Sequence, residues 1–503
     1  MSEIDELLER IDSADEFSRG PMIDALRAHQ GLATVEPPTA LRAARALLGS
    51  GVPHHLPAAA ELALQAQKAN ITGAGVVFAE VTDRMSLMNG RPQRFGTVVV
   101  EHMGEAALAP LDGSVDDDVR SAMGIPPIAA IRANIDAGNR QRARDNAAAE
   151  SIRGGLPYVR IWRDPTEADL MARWDAEGKP VWNDGEEITM VARSNEPGLL
   201  VTPVFQLPMW RVEGTDNLFA FTARVRRGDE AVLSYAFSPT RPDGMPQNPE
   251  PARPQGRWRG SNAGPEPARV ENDDLAGSVI EHAVESDALG EPRKVTIYRP
   301  PNHDRREKLP VIYATDGAWF DSYARRLDPR IVDGTVPRIV VVAAHNAGFN
   351  MQVGNLRALE YLSGMDQDRF DRHARFFVTE LSEWAEAELG VATERSGRAV
   401  FGTSDGGAFA LTMGREFRSH FGTVFAFSSG VPPEMNEQWP ADESPQVHLC
   451  AGVLEVPFHQ STAAWSAWLD HQGLNVHLTE RVSGHDLIQW QEELPDAVAR
   501  AWG

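Results

Sequence analysis

Arg398-Ala399-Val400-Phe401-Gly402-Thr403-Ser404-Asp405-Gly406-Gly407-Ala408-Phe409-Ala410-Leu411 is the stretch on which the fold turns. It is apolar and suited to a strand up to Phe401, and it leaves the glycine-bracketed serine as a helix former. A serine at the apex of a sharp strand-to-helix turn sits on strained backbone, so the residues two before and two after it must be small. A glycine-bracketed serine is weak evidence by itself. The strand before it and the helix after it make Ser404 a candidate nucleophile in a doubly wound, mostly parallel α/β sheet.

The chain around this stretch fits that reading. Lys294 to Tyr298, Leu309 to Ala314, Arg338 to Ala343, Gly397 to Phe401, Thr423 to Phe427 and Val447 to Ala451 are apolar, β-branched runs of the kind buried in parallel sheets. Helical stretches such as Arg369 to Leu389 and Gly407 to Phe417 lie between them. Residues 269–503 therefore read as one α/β domain. Upstream, 157–245 breaks into short strand-like pieces at Ile188 to Ala192, Leu199 to Phe205, Leu218 to Val225 and Ala231 to Phe237, the spacing of a β-sandwich. A Pro/Gly-rich stretch over 246–268 reads as a linker. Residues 1–150 read as a mainly helical domain, with Ala40 to Leu48 and Ala58 to Ala69 apolar at helical spacing. Asp83 to Thr97 reads as a loop within it, and Arg140 to Arg153 as an exposed link. There is no internal repeat.

A chain of 503 residues is too long for one core, so several domains are expected. Its net charge of -23 argues against nucleic acid and anionic membrane surfaces as partners. Nearly all basic residues are Arg, with Lys only at Lys68, Lys179, Lys294 and Lys308, which reads as genomic base composition. The single cysteine, Cys450, excludes an internal disulfide and permits a reducing compartment. The acidic N-terminal stretch lacks the pattern of a secretory signal, and no apolar run reaches the length of a membrane span. A cytoplasmic location is expected.

A serine hydroxyl needs a base, and in this fold the chain order is Ser, acid, His. Of the histidines after Ser404, His485 lies in the loop Val482-Ser483-Gly484-His485-Asp486-Leu487, between the last strand-like run and the last helix. His448 and His477 read as structural, and His420, His459 and His471 as surface residues. Glu455 follows the run that ends at Ala451 and is the preferred acid, with a solvated loop carboxylate as the alternative. Asp470 reads as helical, and Asp486 sits awkwardly next to the base. An oxyanion hole needs two backbone N–H donors. Asp405 would supply one; Gly317 or Ala318, in Tyr313-Ala314-Thr315-Asp316-Gly317-Ala318-Trp319, would supply the other. A plain Asp-Gly turn is the alternative there.

These residues carry a resemblance. Leu289 to Arg293 with Tyr298-Arg299-Pro300, Thr315 to Trp319, Arg357-Ala358-Leu359-Glu360-Tyr361, Gly402 to Gly407, Ala451-Gly452 leading to Glu455, and Ser483 to Asp486 resemble the enterochelin (enterobactin) esterase family within the esterase D-like α/β-hydrolases. The order agrees, as does the 30-residue separation of acid and base. Trp162-Arg163-Asp164-Pro165 and Met209 to Asp216 are similar, more loosely, to that family's N-terminal β-sandwich. The resemblance implies a triad of Ser404, Glu455 and His485, with Trp319 and Arg357 toward the substrate. An ion pair with Glu360 is the other reading of Arg357. Family members often carry a small or neutral residue at the position of Asp405. A carboxylate there would repel an anionic substrate and raise the basicity of His485. The segment Asp83 to Thr97 resembles a small, mainly bacterial helical domain family of unknown function. Its charged residues Asp83, Arg84, Arg91 and Arg94 read as a site or, more commonly, a hydrogen-bonded loop anchor.

The expectation is a serine esterase that cleaves a siderophore-like, macrolactone or other secondary-metabolite ester through an acyl-enzyme. An acyltransferase using the same triad and a non-catalytic binding protein are the alternatives. The partner expected is a small-molecule ester. No cofactor and no metal are expected: there is no HExxH motif, no phosphate- or dinucleotide-binding glycine motif, and His54-His55 sits in a Pro-flanked turn with no carboxylate cluster.

Overall fold

In the computed structural model, which describes residues 2–14, 16–102, 105–153, 157–163, 165–196, 198–205, 207–240, 255–350, 354–434, 439 and 443–503, the apolar runs of the C-terminal part form one eight-stranded sheet. Its strands are β1 (Ser278–Val284), β2 (Arg293–Arg299), β3 (Val311–Ala314), β4 (Val340–Ala344), β5 (Arg398–Thr403), β6 (Thr423–Phe427), β7 (Gln446–Gly452) and β8 (Val476–Arg481). Their spatial order is β1-β2-β4-β3-β5-β6-β7-β8. β2 runs antiparallel to β1 and β4, and every pairing from β4 to β8 is parallel.

Alternate residues of each strand point to opposite faces, and both faces are covered here. Val311, Tyr313, Val400, Val424 and Leu449 pack under Phe370, Phe377, Phe409 and Trp468. Ile312, Ala314, Phe401, Phe425 and Cys450 pack under Phe320, Leu327, Trp490 and Leu494. Two buried faces explain why these strands read as unbroken apolar runs rather than alternating ones.

Two antiparallel sheets form the sandwich. One has four strands, Gly256–Arg259, Val232–Pro239, Leu199–Pro203 and Leu207–Pro208; the other is built on Leu218–Val225 and Glu187–Arg193. Val201, Leu233 and Trp258 from the first meet Ile188, Phe219 and Phe221 from the second in one core. The expected linker over 246–268 needs correction. Residues up to 254 lie outside those described, and Gly256–Arg259 is an edge strand of the sandwich. Its Trp258, 2% exposed, supplies the apolar side chain that the proline-rich surroundings hid.

In the N-terminal part, five helices between Glu3 and Met88 bury a common core of Leu and Ala side chains. A hairpin, Val99–His102 with Glu105–Leu108, and the helix Ile128–Arg153 follow. Two expectations change here. The helix Ala74–Met88 takes in the first part of the expected loop at Asp83 to Thr97, and the expected exposed link from Arg140 lies on the helix Ile128–Arg153. The first helix continues because buried Asp83 serves the loop from its helical position. Its carboxylate accepts the N–H groups of Arg94, Phe95 and Thr97 at 2.7, 2.9 and 2.9 Å, and the Thr97 hydroxyl at 2.7 Å. Asp83 is thus the loop anchor. The second is helical although polar, and its Arg140 guanidinium stacks 4.7 Å from the Trp162 ring. Asp164, in the motif that follows, lies outside the described residues. Among those described, no helix is long and apolar enough to cross a membrane.

Candidate active site

β5 ends at Thr403 and the helix Asp405–Glu416 begins two residues later, leaving Ser404 alone at the turn with φ 58°. That left-handed conformation is costly for a residue with a side chain and is held here by its surroundings. A Cβ on Gly402 would lie 1.9 Å from the carbonyl oxygen of Gly406, and one on Gly406 would lie 2.3 Å from the Thr315 hydroxyl. The two bracketing glycines are therefore required by close approach.

His485 Nε2 lies 3.1 Å from Ser404 Oγ, and His485 Nδ1 lies 2.5 Å from Glu455 Oε2. The imidazole is stacked on Phe458, with ring centres 3.9 Å apart, and meets Trp490 edge-on. Both contacts restrict ring rotation. Glu455 is 5% exposed. Its Oε1 accepts the Ser428 hydroxyl at 2.6 Å, the Gly452 N–H at 2.6 Å and the Gln489 amide at 2.8 Å. A buried carboxylate so supplied with donors remains an acceptor for the imidazole. The solvated-loop alternative for Glu455 does not hold. Ser428, Gln489, Phe458 and Trp490 were not singled out in the sequence, where a lone polar or aromatic residue after a strand or in a helix carries no motif.

The turn after β3 lies against the strand-to-helix turn at Ser404, the nucleophile elbow. Asp316 has φ 55°, and Gly317–Trp319 makes a single 3-10 turn. A Cβ on Gly317 would lie 2.1 Å from the Ala343 carbonyl, so the glycine is demanded by packing on β4. Asp405 opens its helix, where backbone N–H groups have no intrahelical acceptor. Trp319 is 58% exposed at the end of the turn.

Arg357 does not pair with Glu360. Its Nε and Nη2 donate to the two oxygens of Asp316 at 2.8 and 2.9 Å, its Nη1 donates to Asp405 at 2.5 Å, and Nη2 also reaches the Thr403 carbonyl at 3.3 Å. Glu360 instead pairs with Arg293 at 2.8 and 3.0 Å. Burial acts to lower the Arg357 pKa, but the bonds and charges of Asp316 and Asp405 outweigh it and raise it. The expected repulsion from Asp405 is accordingly countered, since its carboxylate faces a guanidinium.

Asp486, passed over as the acid, accepts instead from the N–H groups of Ser234 and Ile488. Two other expectations change. His420 is no surface residue: it contacts Ser382 at 3.0 Å and accepts from Arg398 at 3.2 Å. His54 and His55 do have a carboxylate beside them, with Asp24 Oδ1 2.9 Å from His55 Nε2 and 3.8 Å from His54 Nε2.

Residues 286–501 match the family described as "Putative esterase". Among solved structures, the ferric enterobactin esterase of Salmonella typhimurium is 18% identical, covers 66% of this chain and 98% of its own, and superposes with a TM-score of 0.51. The enterobactin esterase of Shigella flexneri, solved in the presence of enterobactin, is 17% identical and covers 66% and 97%, with a TM-score of 0.50. A ferulic acid esterase from Anaeromyces mucronatus is 15% identical and covers 47% and 95%, with a TM-score of 0.38. No curated protein matches the chain. The two enterobactin esterases share the fold at low identity. Residues 286–501 are thus similar to the esterase family, and this match supports a carboxylic-ester hydrolase.

Proposed function

We propose that hydrolysis proceeds through an acyl-enzyme on Ser404, with His485 as general base and acid and Glu455 as its orienting carboxylate. The observation that carries this is the imidazole held between Ser404 Oγ at 3.1 Å and Glu455 at 2.5 Å. Ser404 Oγ attacks the ester carbonyl carbon while His485 Nε2 takes its proton, and Glu455 stabilises the imidazolium that forms. The oxyanion of the tetrahedral intermediate is met by the Asp405 N–H and by that of Gly317 or Ala318. His485 then passes its proton to the departing alkoxide. Water, deprotonated by the same imidazole, releases the acid. Exposed Trp319 offers a face to the substrate.

The substrate we propose is a siderophore-like, macrolactone or other secondary-metabolite ester. With Arg357 set against Asp405, an anionic acyl group is compatible with the elbow. The test is an ester panel together with fluorophosphonate labelling, on wild type and Ser404→Ala. Labelling should vanish and kcat should fall by about 10³-fold or more. Labelling that persists in Ser404→Ala overturns the proposal.

A further inference from the structure

The base loop of the hydrolase domain is built into the β-sandwich. The Val232 N–H donates to the Val482 carbonyl at 3.0 Å, and the Ser483 hydroxyl donates to the Val232 carbonyl at 2.7 Å. The Ser234 N–H donates to Asp486 Oδ2 at 2.6 Å. Val482 and Leu454, one on each of the loops that carry His485 and Glu455, are members of the sandwich core. Gly484 passes so close to the sandwich that a Cβ there would lie 2.8 Å from the Val204 Cα. His485 thus has on either side a residue held by the other domain.

Asp486 is the hinge of this arrangement. Its side chain is buried, and its other oxygen accepts the Ile488 N–H at 3.1 Å, capping the helix Leu487–Trp502. One carboxylate therefore joins three things: the sandwich strand Val232–Pro239, the base loop and the last helix. Farther along that helix, Glu492 pairs with Arg259 of the sandwich at 2.8 Å, a second tie between the same two bodies. An enzyme whose general base must lie within hydrogen-bond reach of its nucleophile loses rate steeply when that base shifts.

We propose that the β-sandwich serves as the mount of the catalytic base and that Asp486 is a positioning residue acting through His485. This rests on the triad reading of Ser404, Glu455 and His485. It gives the sandwich a part in catalysis without any contact to substrate.

Asp486→Asn separates the two roles of the side chain. The amide oxygen can still accept from Ile488 and keep the helix cap, while its NH2 group would face the Ser234 N–H, donor against donor. Ser483→Ala removes a second tie without touching the cap. Both variants are measured in the full chain on one hydrolysed ester, beside Ser404→Ala and His485→Ala. Asp486→Asn should lower kcat by about 10–100-fold and Ser483→Ala by a smaller factor, with KM within about twofold in each. In a His485→Ala background, adding Asp486→Asn should change the residual rate by less than about twofold, because the residue it positions is gone. Wild-type kcat in both variants overturns the proposal, as does an equal loss in the His485→Ala background, which is the mark of a general folding defect. A Ser404→Ala protein as active as wild type overturns the triad reading and the mount with it. An inactive Ser404→Ala beside a fully active Asp486→Asn overturns the mount alone.

Discussion

Arg357 forms ion pairs, but not with the carboxylate that lies nearest to it in sequence. Its neighbour in sequence, Glu360, is engaged by Arg293. The guanidinium instead spans Asp316, next to one expected oxyanion donor, and Asp405, which carries the other. It would thereby fix the two halves of the proposed oxyanion hole relative to each other. Replacing it by Gln leaves two carboxylates at the mouth of the hole without their cation, where they oppose the developing negative charge. Arg357→Gln should therefore lower kcat by about 10–100-fold, to a similar extent for a neutral and an anionic ester. Steady-state kinetics on such a matched pair would decide the point. A loss confined to the anionic ester would mean that Arg357 acts on substrate charge instead. Sequence could place Arg357 near the site through a motif. Its partner could not be read, because Asp316 and Asp405 are brought to it from β3 and β5, separations of 41 and 48 residues.

At the scale of the element, the elbow is the feature most tightly set by packing. Any side chain at Gly402 meets backbone, the Gly406 carbonyl at 1.9 Å, and backbone cannot move aside without shifting the helix that presents Ser404. Gly402→Ala should cost about 3 kcal/mol, a fall in Tm of about 6–12 °C for a domain of this size. Differential scanning calorimetry checks it, and an unchanged Tm would show that the turn has more room than its geometry implies. The same strand-to-helix pattern made this element legible from its residues alone, and the parallel strands around it were legible for the same reason: two buried faces leave continuous apolar runs. Elements whose stability comes from elsewhere were not. Gly256–Arg259 is short and set among prolines, and it becomes a strand by pairing with Val232–Pro239. The helix Ile128–Arg153 is mostly polar and charged from Arg140 to Asn146, so periodicity gives little sign of it there; tertiary contacts such as Arg140 on Trp162 supply what the pattern does not. The Ser-acid-His order was legible because the fold fixes it. The donors that hold Glu455 converge from β6, β7 and the last helix, and so had no local signature.

For the whole molecule, the sheet of the catalytic domain carries a pH dependence of its own, separate from that of the reaction. His373 and His448 are buried, with no hydrogen-bond partner for either ring nitrogen among the described residues, and His420 accepts from Arg398. Burial, reinforced by nearby positive charge at His420 and His448, lowers the pKa of each of the three from 6.5 to about 4. Each histidine is therefore neutral in the folded chain at a pH where the unfolded chain already binds a proton. Stability is at its full value above pH 6.5 and falls as pH drops from there toward 4, since the unfolded state takes up more protons. The loss approaches about 1.4 kcal/mol per pH unit for each histidine within that window, a large fraction of the stability of an ordinary domain. Denaturant unfolding of the catalytic domain followed from pH 7.5 to pH 5 should show a steep decline. His448→Phe, which leaves an aromatic ring beside Phe425 but nothing to protonate, should flatten that decline by about one proton's worth. A slope identical to wild type would show that His448 titrates normally and that the acid sensitivity arises at other groups.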